Sequence, residues 1–122
     1  MRYVFDECLP DKFPRALQVL GEDAVPYSEH WERGTPDEQW IPVAASEGWV
    51  IITADKLRPH RRLALSTQGG RIFLLSIRNL STWEQFRLLV NRWQAITQTA
   101  NKTKPPYIYR VPKKGQLAKV SL

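Results

Sequence analysis

Residues 49–53 read Trp-Val-Ile-Ile-Thr, and Ala54-Asp55 follow them. An unbroken run of β-prone side chains is the pattern of a strand covered on both faces, because a half-wet strand alternates apolar with polar residues. Arg71-Ile72-Phe73-Leu74-Leu75 is a second such run, and Tyr3-Val4-Phe5 is a shorter one that stops at Asp6-Glu7. A fourth short strand is expected at 24–27. Buried strands of this kind need helices on both sides of the sheet, and helical signals lie between them.

Pro10 and Pro14 place a helix over about residues 11–20, with Phe13, Leu17 and Leu20 as its apolar face and Gly21 as its stop. Thr35-Pro36-Asp37-Glu38 has the grammar of a helix N-terminus, with Thr35 as N-cap and Glu38 closing a capping box. That helix should reach about Glu47, with Pro42 removing one backbone donor, and Gly48 ends it. A short basic helix is expected over 60–67. Ser81-Thr82-Trp83-Glu84 is another capping box and opens the longest helix, to about Ala100. Trp83, Phe86, Leu89, Val90, Trp93 and Ile96 form its apolar stripe, which reads as core or subunit interface. Residues 107–111 and 117–120 alternate around Lys113-Lys114-Gly115 and predict a terminal hairpin. Strand and helix in strict alternation give an α/β fold with a central, mainly parallel sheet. The first four strands should be parallel, the hairpin should extend one edge, and residues 1–122 should form a single domain.

The 122 residues, 43% apolar and 25% charged, suit one compact domain with a sizeable core. Cys8 is the single cysteine, which excludes an intrachain disulfide. No segment has the length of a signal peptide's apolar stretch or approaches the roughly 20 apolar residues of a spanning helix, so a soluble, reducing, cytoplasmic setting is expected, with no membrane partner. Charge is divided along the chain. Residues 1–55 hold four Lys/Arg against eleven Asp/Glu, and residues 56–122 hold fourteen Lys/Arg against Glu84 alone. Carboxylates beside a basic field suit a metal-dependent enzyme acting on a polyanion.

The acids fall where a parallel sheet binds ligands, at the carboxyl ends of the strands. Asp6 and Glu7 follow the first strand, Asp55 follows the third, and Asp37 and Glu38 open the helix after the second. Oxygen ligands of this type suit Mg²⁺ or Mn²⁺ rather than Zn²⁺, and His30 and His60 lack the spacing of a zinc site. A divalent ion so held matches phosphodiester hydrolysis. Lys56, Arg58, Arg61 and Arg62 come directly after Asp55 and are the expected RNA-binding residues. Trp31 and Trp40 are candidates for stacking on bases of single-stranded RNA, with core packing the favoured role for Trp40.

Together, residues 5–10 (Phe-Asp-Glu-Cys-Leu-Pro), 35–40 (Thr-Pro-Asp-Glu-Gln-Trp) and 52–55 (Ile-Thr-Ala-Asp) resemble the PIN-like ribonucleases, most closely the VapC-type toxins of bacterial toxin–antitoxin systems. The likeness continues through Trp83-Glu84-Gln85, Trp93 and residues 107–111. It implies a metal-dependent endoribonuclease that uses a carboxylate cluster and is held inactive by a cognate antitoxin. Asp6, Asp37 and Asp55 match the acids of that cluster as catalytic residues and metal ligands. Glu38 is a fourth catalytic candidate and Glu7 a further ligand, although relatives often carry a neutral polar residue at the position of Glu7. Relatives often follow the last acid with an acidic or aromatic residue, where this chain has Lys56-Leu57. The expected partners are an RNA substrate and the antitoxin, with a homodimer as a further association. A catalytically inactive PIN-like module that binds RNA or protein is the alternative. A phosphoacceptor receiver domain shares the acid pattern, but needs a lysine after a fifth parallel strand and a packed helix beyond it.

Overall fold

The computed structural model describes residues 1–55 and 69–121. Strands β1 (Tyr3–Phe5), β2 (Ala24–Pro26), β3 (Val50–Ala54), β4 (Arg71–Leu75), β5 (Tyr107–Val111) and β6 (Ala118–Lys119) form one sheet in the order β2-β1-β3-β4-β5-β6. Helices α1 (Lys12–Val19), α2 (Asp37–Ser46) and α3 (Thr82–Lys102) flank it. The short helix expected over 60–67 lies outside the described residues. No helix among the described residues is long and apolar enough to cross a membrane.

The strand runs behave as their composition requires. Val50, Ile51 and Ile52 of β3 and Ile72, Phe73, Leu74 and Leu75 of β4 are all buried. Alternate residues feed two cores. Phe5, Val50, Ile52, Phe73 and Leu75 pack with Phe13 and Leu17 of α1 and Leu89 and Ile96 of α3. Val4, Ile51, Ile72 and Leu74 pack on the other face with Trp40, Ile41 and Ala44 of α2. The sheet is therefore wound on both sides.

Among the described residues five strands are parallel, where four were expected. β5 pairs with β4 in parallel, Arg71 opposite Tyr107 and Leu75 opposite Val111, and only β6 runs back against it. The reason is α3, whose 21 residues carry the chain from the carboxyl end of β4 back to the amino edge. The first arm of the hairpin is thus a sheet strand in its own right.

Three local expectations need correction. Thr35 does not cap α2. Its hydroxyl donates to the Glu32 carbonyl at 2.7 Å, closing a turn, and the helix starts at Asp37 with Pro36 at the N-cap and no side-chain cap. Leu20 is 75% exposed, because α1 ends at Val19 and the chain leaves through Gly21 at φ +90°. Trp83 is 64% exposed at the first turn of α3, with the Arg87 guanidinium 5.7 Å from its ring, and Val90 also faces solvent. The packed stripe is instead Phe86, Leu89, Trp93, Ile96 and Ala100. The capping box at Ser81 does form: Ser81 Oγ accepts from the Glu84 amide at 3.2 Å, and Glu84 Oε1 accepts from the Ser81 amide at 2.9 Å. Those Ser81 contacts hold the Glu84 carboxyl below its usual range.

Tyr107 is fully buried and its hydroxyl has no hydrogen-bond partner among the described residues, and burial pushes its pKa well up. An unsatisfied buried hydroxyl costs about 1–3 kcal/mol, whereas removing it leaves no group unpaired. Tyr107→Phe should therefore raise stability by about 1 kcal/mol, near 4 °C in melting temperature for a chain of this length. A lower melting temperature in calorimetry would show that the hydroxyl is satisfied in solution.

Candidate functional site

β1 leads through α1 to β2 on one side, whereas β3 leads on to β4 on the other. The crevice at the carboxyl ends of β1 and β3 is thus a topological switch point, the usual ligand site of open α/β sheets. Asp6 and Asp55 stand on either side of it. Phe5 is paired with Ile52, so Asp6 falls level with Thr53, and Asp55 lies two residues further along the same face. That face is the one covered by α2.

Asp6 is 8% exposed and densely held. Its Oδ1 accepts from the Glu7 amide at 2.7 Å, and its Oδ2 accepts from the Thr53 hydroxyl at 2.7 Å and the Cys8 thiol at 3.4 Å. Its own amide donates to the Ile52 carbonyl at 2.9 Å, tying the end of β1 to β3. A buried carboxylate survives only with such donors. Cys8 belongs to the same cluster: its sulfur also lies 3.4 Å from Thr53 Oγ1, and burial, then Asp6, pushes the thiol pKa up. A raised pKa keeps the sulfur a neutral donor rather than a nucleophile.

Asp55 is more open, its side chain 32% exposed, and Oδ2 accepts from Arg110 Nε at 3.1 Å. Asp37 opens α2, but its Oδ1 accepts from Trp40 Nε1 at 3.0 Å. Glu7 Oε2 accepts from the Gly34 amide at 3.1 Å, fastening the loop before α2 to the end of β1. Glu38 is exposed on the first turn of α2. The fold therefore places Asp6 and Asp55 at the carboxyl ends of adjacent strands, engages Asp37 with a core tryptophan and gives Glu7 a loop-fastening bond. Lys56, Arg58, Arg61 and Arg62 lie outside the described residues.

The donor set is carboxylate oxygen, as Mg²⁺ and Mn²⁺ require, and Asp6 with Asp55 supplies two carboxylates from adjacent strands. Mg²⁺ often takes one or two carboxylates and completes its shell with water and substrate phosphate, so the donor chemistry of Asp6 and of Asp55 suits such an ion, although Asp55 is turned toward Arg110. Among the described residues no group of three or more His, Cys, Asp or Glu side chains could hold a metal ion. A preformed three-carboxylate cage is thus absent from them.

Trp40 takes the core role expected in preference to stacking on RNA: the ring is 1% exposed, edge-on to Tyr27 at 5.3 Å and beside Trp31 at 5.2 Å. Trp31 itself packs against Tyr27, Trp40 and Trp49. His30 lies 3.1 Å from Arg2 Nη1 and against Trp49 at 4.7 Å. Sequence reasoning missed Thr53, Cys8 and Arg110. Two of these carried a signal, since alternation puts Thr53 on the same face as Asp55, and Arg110 is a charge inside a strand pattern.

An open, doubly wound α/β sheet with acids flanking its switch point defines the class. Within that class, a family model described as PIN like domain matches residues 1–77, from the start of the chain past the end of β4, and so includes Asp6, Asp37 and Asp55. The chain belongs to the PIN-like domain family. PIN-like domains are generally nucleases and typically use divalent metals. No curated protein and no solved structure matches the chain.

Proposed function

We propose that the chain is a metal-dependent endoribonuclease, and that it is the toxin of a type II toxin–antitoxin pair of VapC type. The observation that carries the reading is the pair Asp6 and Asp55 at the switch point of a PIN-like sheet. These two would hold Mg²⁺ or Mn²⁺, with Asp37 as a third ligand once released from Trp40, and with Glu7 and Glu38 at the margin. The ion supplies positive charge at the phosphorus centre and acidifies water. Asp6 contributes a fixed carboxylate, oriented by Thr53 and the Glu7 amide before substrate arrives. Lys56, Arg58, Arg61 and Arg62 would bind the RNA backbone. The antitoxin would cover the carboxyl edge, where Trp83 presents the large exposed side chain such a partner buries.

A catalytically inactive PIN-like module is the second reading. It is favoured by one observation: Asp55 is already paired with Arg110, and Asp37 with Trp40.

Incubation of the purified protein with RNA should give cleavage in Mg²⁺ or Mn²⁺ and none in EDTA. Equal cleavage in EDTA removes the metal-dependent reading, and no cleavage with any metal leaves the inactive module. Expression alone should slow growth, and co-expression of the adjacent reading frame should restore it with the two products co-purifying. A neighbour that does neither removes the toxin reading and leaves a plain ribonuclease.

A further inference from the structure

Asp55, Ser76, Arg78, Arg110 and Lys113 line a cleft of about 410 Å³ at the carboxyl ends of β3, β4 and β5. We propose that this cleft is a phosphate subsite, in which Arg110, Arg78 and Lys113 hold the backbone of the RNA strand beside the Asp6–Asp55 crevice. The proposal takes the strand to be RNA from the ribonuclease reading, and its charge argument is independent of that reading.

Among the described residues three cations face one carboxylate there, so these groups keep a positive excess even with Asp55 ionised. Arg110 is placed to serve both. Its Nε is engaged by Asp55 at 3.1 Å, which fixes the plane of the guanidinium and leaves its other N–H donors for a phosphate oxygen. Asp55 thus acts as the positioning group for the arginine. The cleft is also braced: the Ser76 amide donates to the Val111 carbonyl at 3.0 Å, and Lys113 Nζ donates to the Arg78 carbonyl at 3.4 Å, joining the hairpin to the loop after β4. No aromatic ring among the described residues lines it, so it suits the repeating backbone rather than a base. Arg78, Arg110 and Lys113 all lie beyond the residues that match the family model, and none belongs to the basic run after Asp55.

The test compares two double variants of equal charge. Arg78→Gln with Lys113→Gln empties the cleft of two exposed cations, and Lys102→Gln with Lys104→Gln removes two at the opposite, amino edge. Binding of a fluorescein-labelled single-stranded RNA is followed by anisotropy against salt, in EDTA so that cleavage plays no part. Each phosphate contact on a single strand contributes about 0.7 to the slope of log affinity against log salt, so the cleft pair should flatten it by about 1.4 and the amino-edge pair should leave it unchanged. Equal slopes for the two pairs overturn the subsite. A flattened slope in a protein that cleaves nothing upholds the subsite and removes the ribonuclease reading. Metal-dependent cleavage with a slope indifferent to the cleft pair does the reverse.

Discussion

Asp6→Asn should abolish RNA cleavage while leaving the fold in place. The amide keeps an oxygen to accept from the Glu7 N–H, and its NH₂ faces Thr53, whose hydroxyl can turn to accept. What disappears is the negative charge at the switch point, and with it the hold that the proposed centre would have on a cation. Loss of one positioned electrostatic group lowers turnover by roughly 10²–10³-fold at other active sites, and at least that is expected here. Cleavage is followed with a labelled RNA in Mn²⁺, and folding by circular dichroism. Wild-type turnover in Asp6→Asn would remove Asp6 from the catalytic set and with it the proposed centre. Asp55→Asn should also lose activity, but its stability effect is small: the side chain is partly exposed and already neutralised by Arg110, a kind of pair worth about 0–1 kcal/mol. The gain in stability that crowded carboxylates would give on losing a charge is therefore not expected at Asp55.

Trp40→Ala should be the most destabilising single truncation near the site. The indole is fully buried among Tyr27, Trp31, Ile41 and Ala44, where it joins α2 to the sheet. Emptying such a position costs about 3–5 kcal/mol, from about 6–18 kcal/mol for a chain of this length. The melting temperature should fall by roughly 12–20 °C. Trp40→Phe is the informative partner, since it keeps a smaller ring in the core and deletes the N–H that holds Asp37 at 3.0 Å. It should cost far less and free the Asp37 carboxylate, so apparent affinity for Mn²⁺ should rise if Asp37 is a ligand. Denaturant midpoints for the two variants check the first claim, and metal titration checks the second. A cost below about 1 kcal/mol for Trp40→Ala would mean that α2 is not anchored through this ring.

Much of the fold was legible because its signals are local. Continuous apolar runs marked β3 and β4, and the Ser81 box marked the start of α3. Thr35 misled for a physical reason: a hydroxyl that can cap a helix can equally bond the carbonyl of a preceding turn, and here Glu32 offered one. The stripe of α3 was read too far towards its start, since periodicity says which residues share a face and not how far along the helix the sheet extends. At the site, the acids were found by their position after strands.

By itself, the sequence determined the succession of strands and helices, the winding of helices on both sides of the sheet, and the delivery of Asp6 and Asp55 to its carboxyl edge, because periodicity and capping act over a few residues. Only the tertiary structure decided which groups meet them. Thr53 bonds Asp6 across 47 residues, and Arg110 bonds Asp55 across 55. Such contacts depend on strand order, on register and on the parallel sense of β5, which α3 sets by carrying the chain back across the sheet. Local pattern carries none of that, since any strand could occupy either edge with the same alternation. Pairing between distant strands is what brings Thr53 to Asp6 and Arg110 to Asp55.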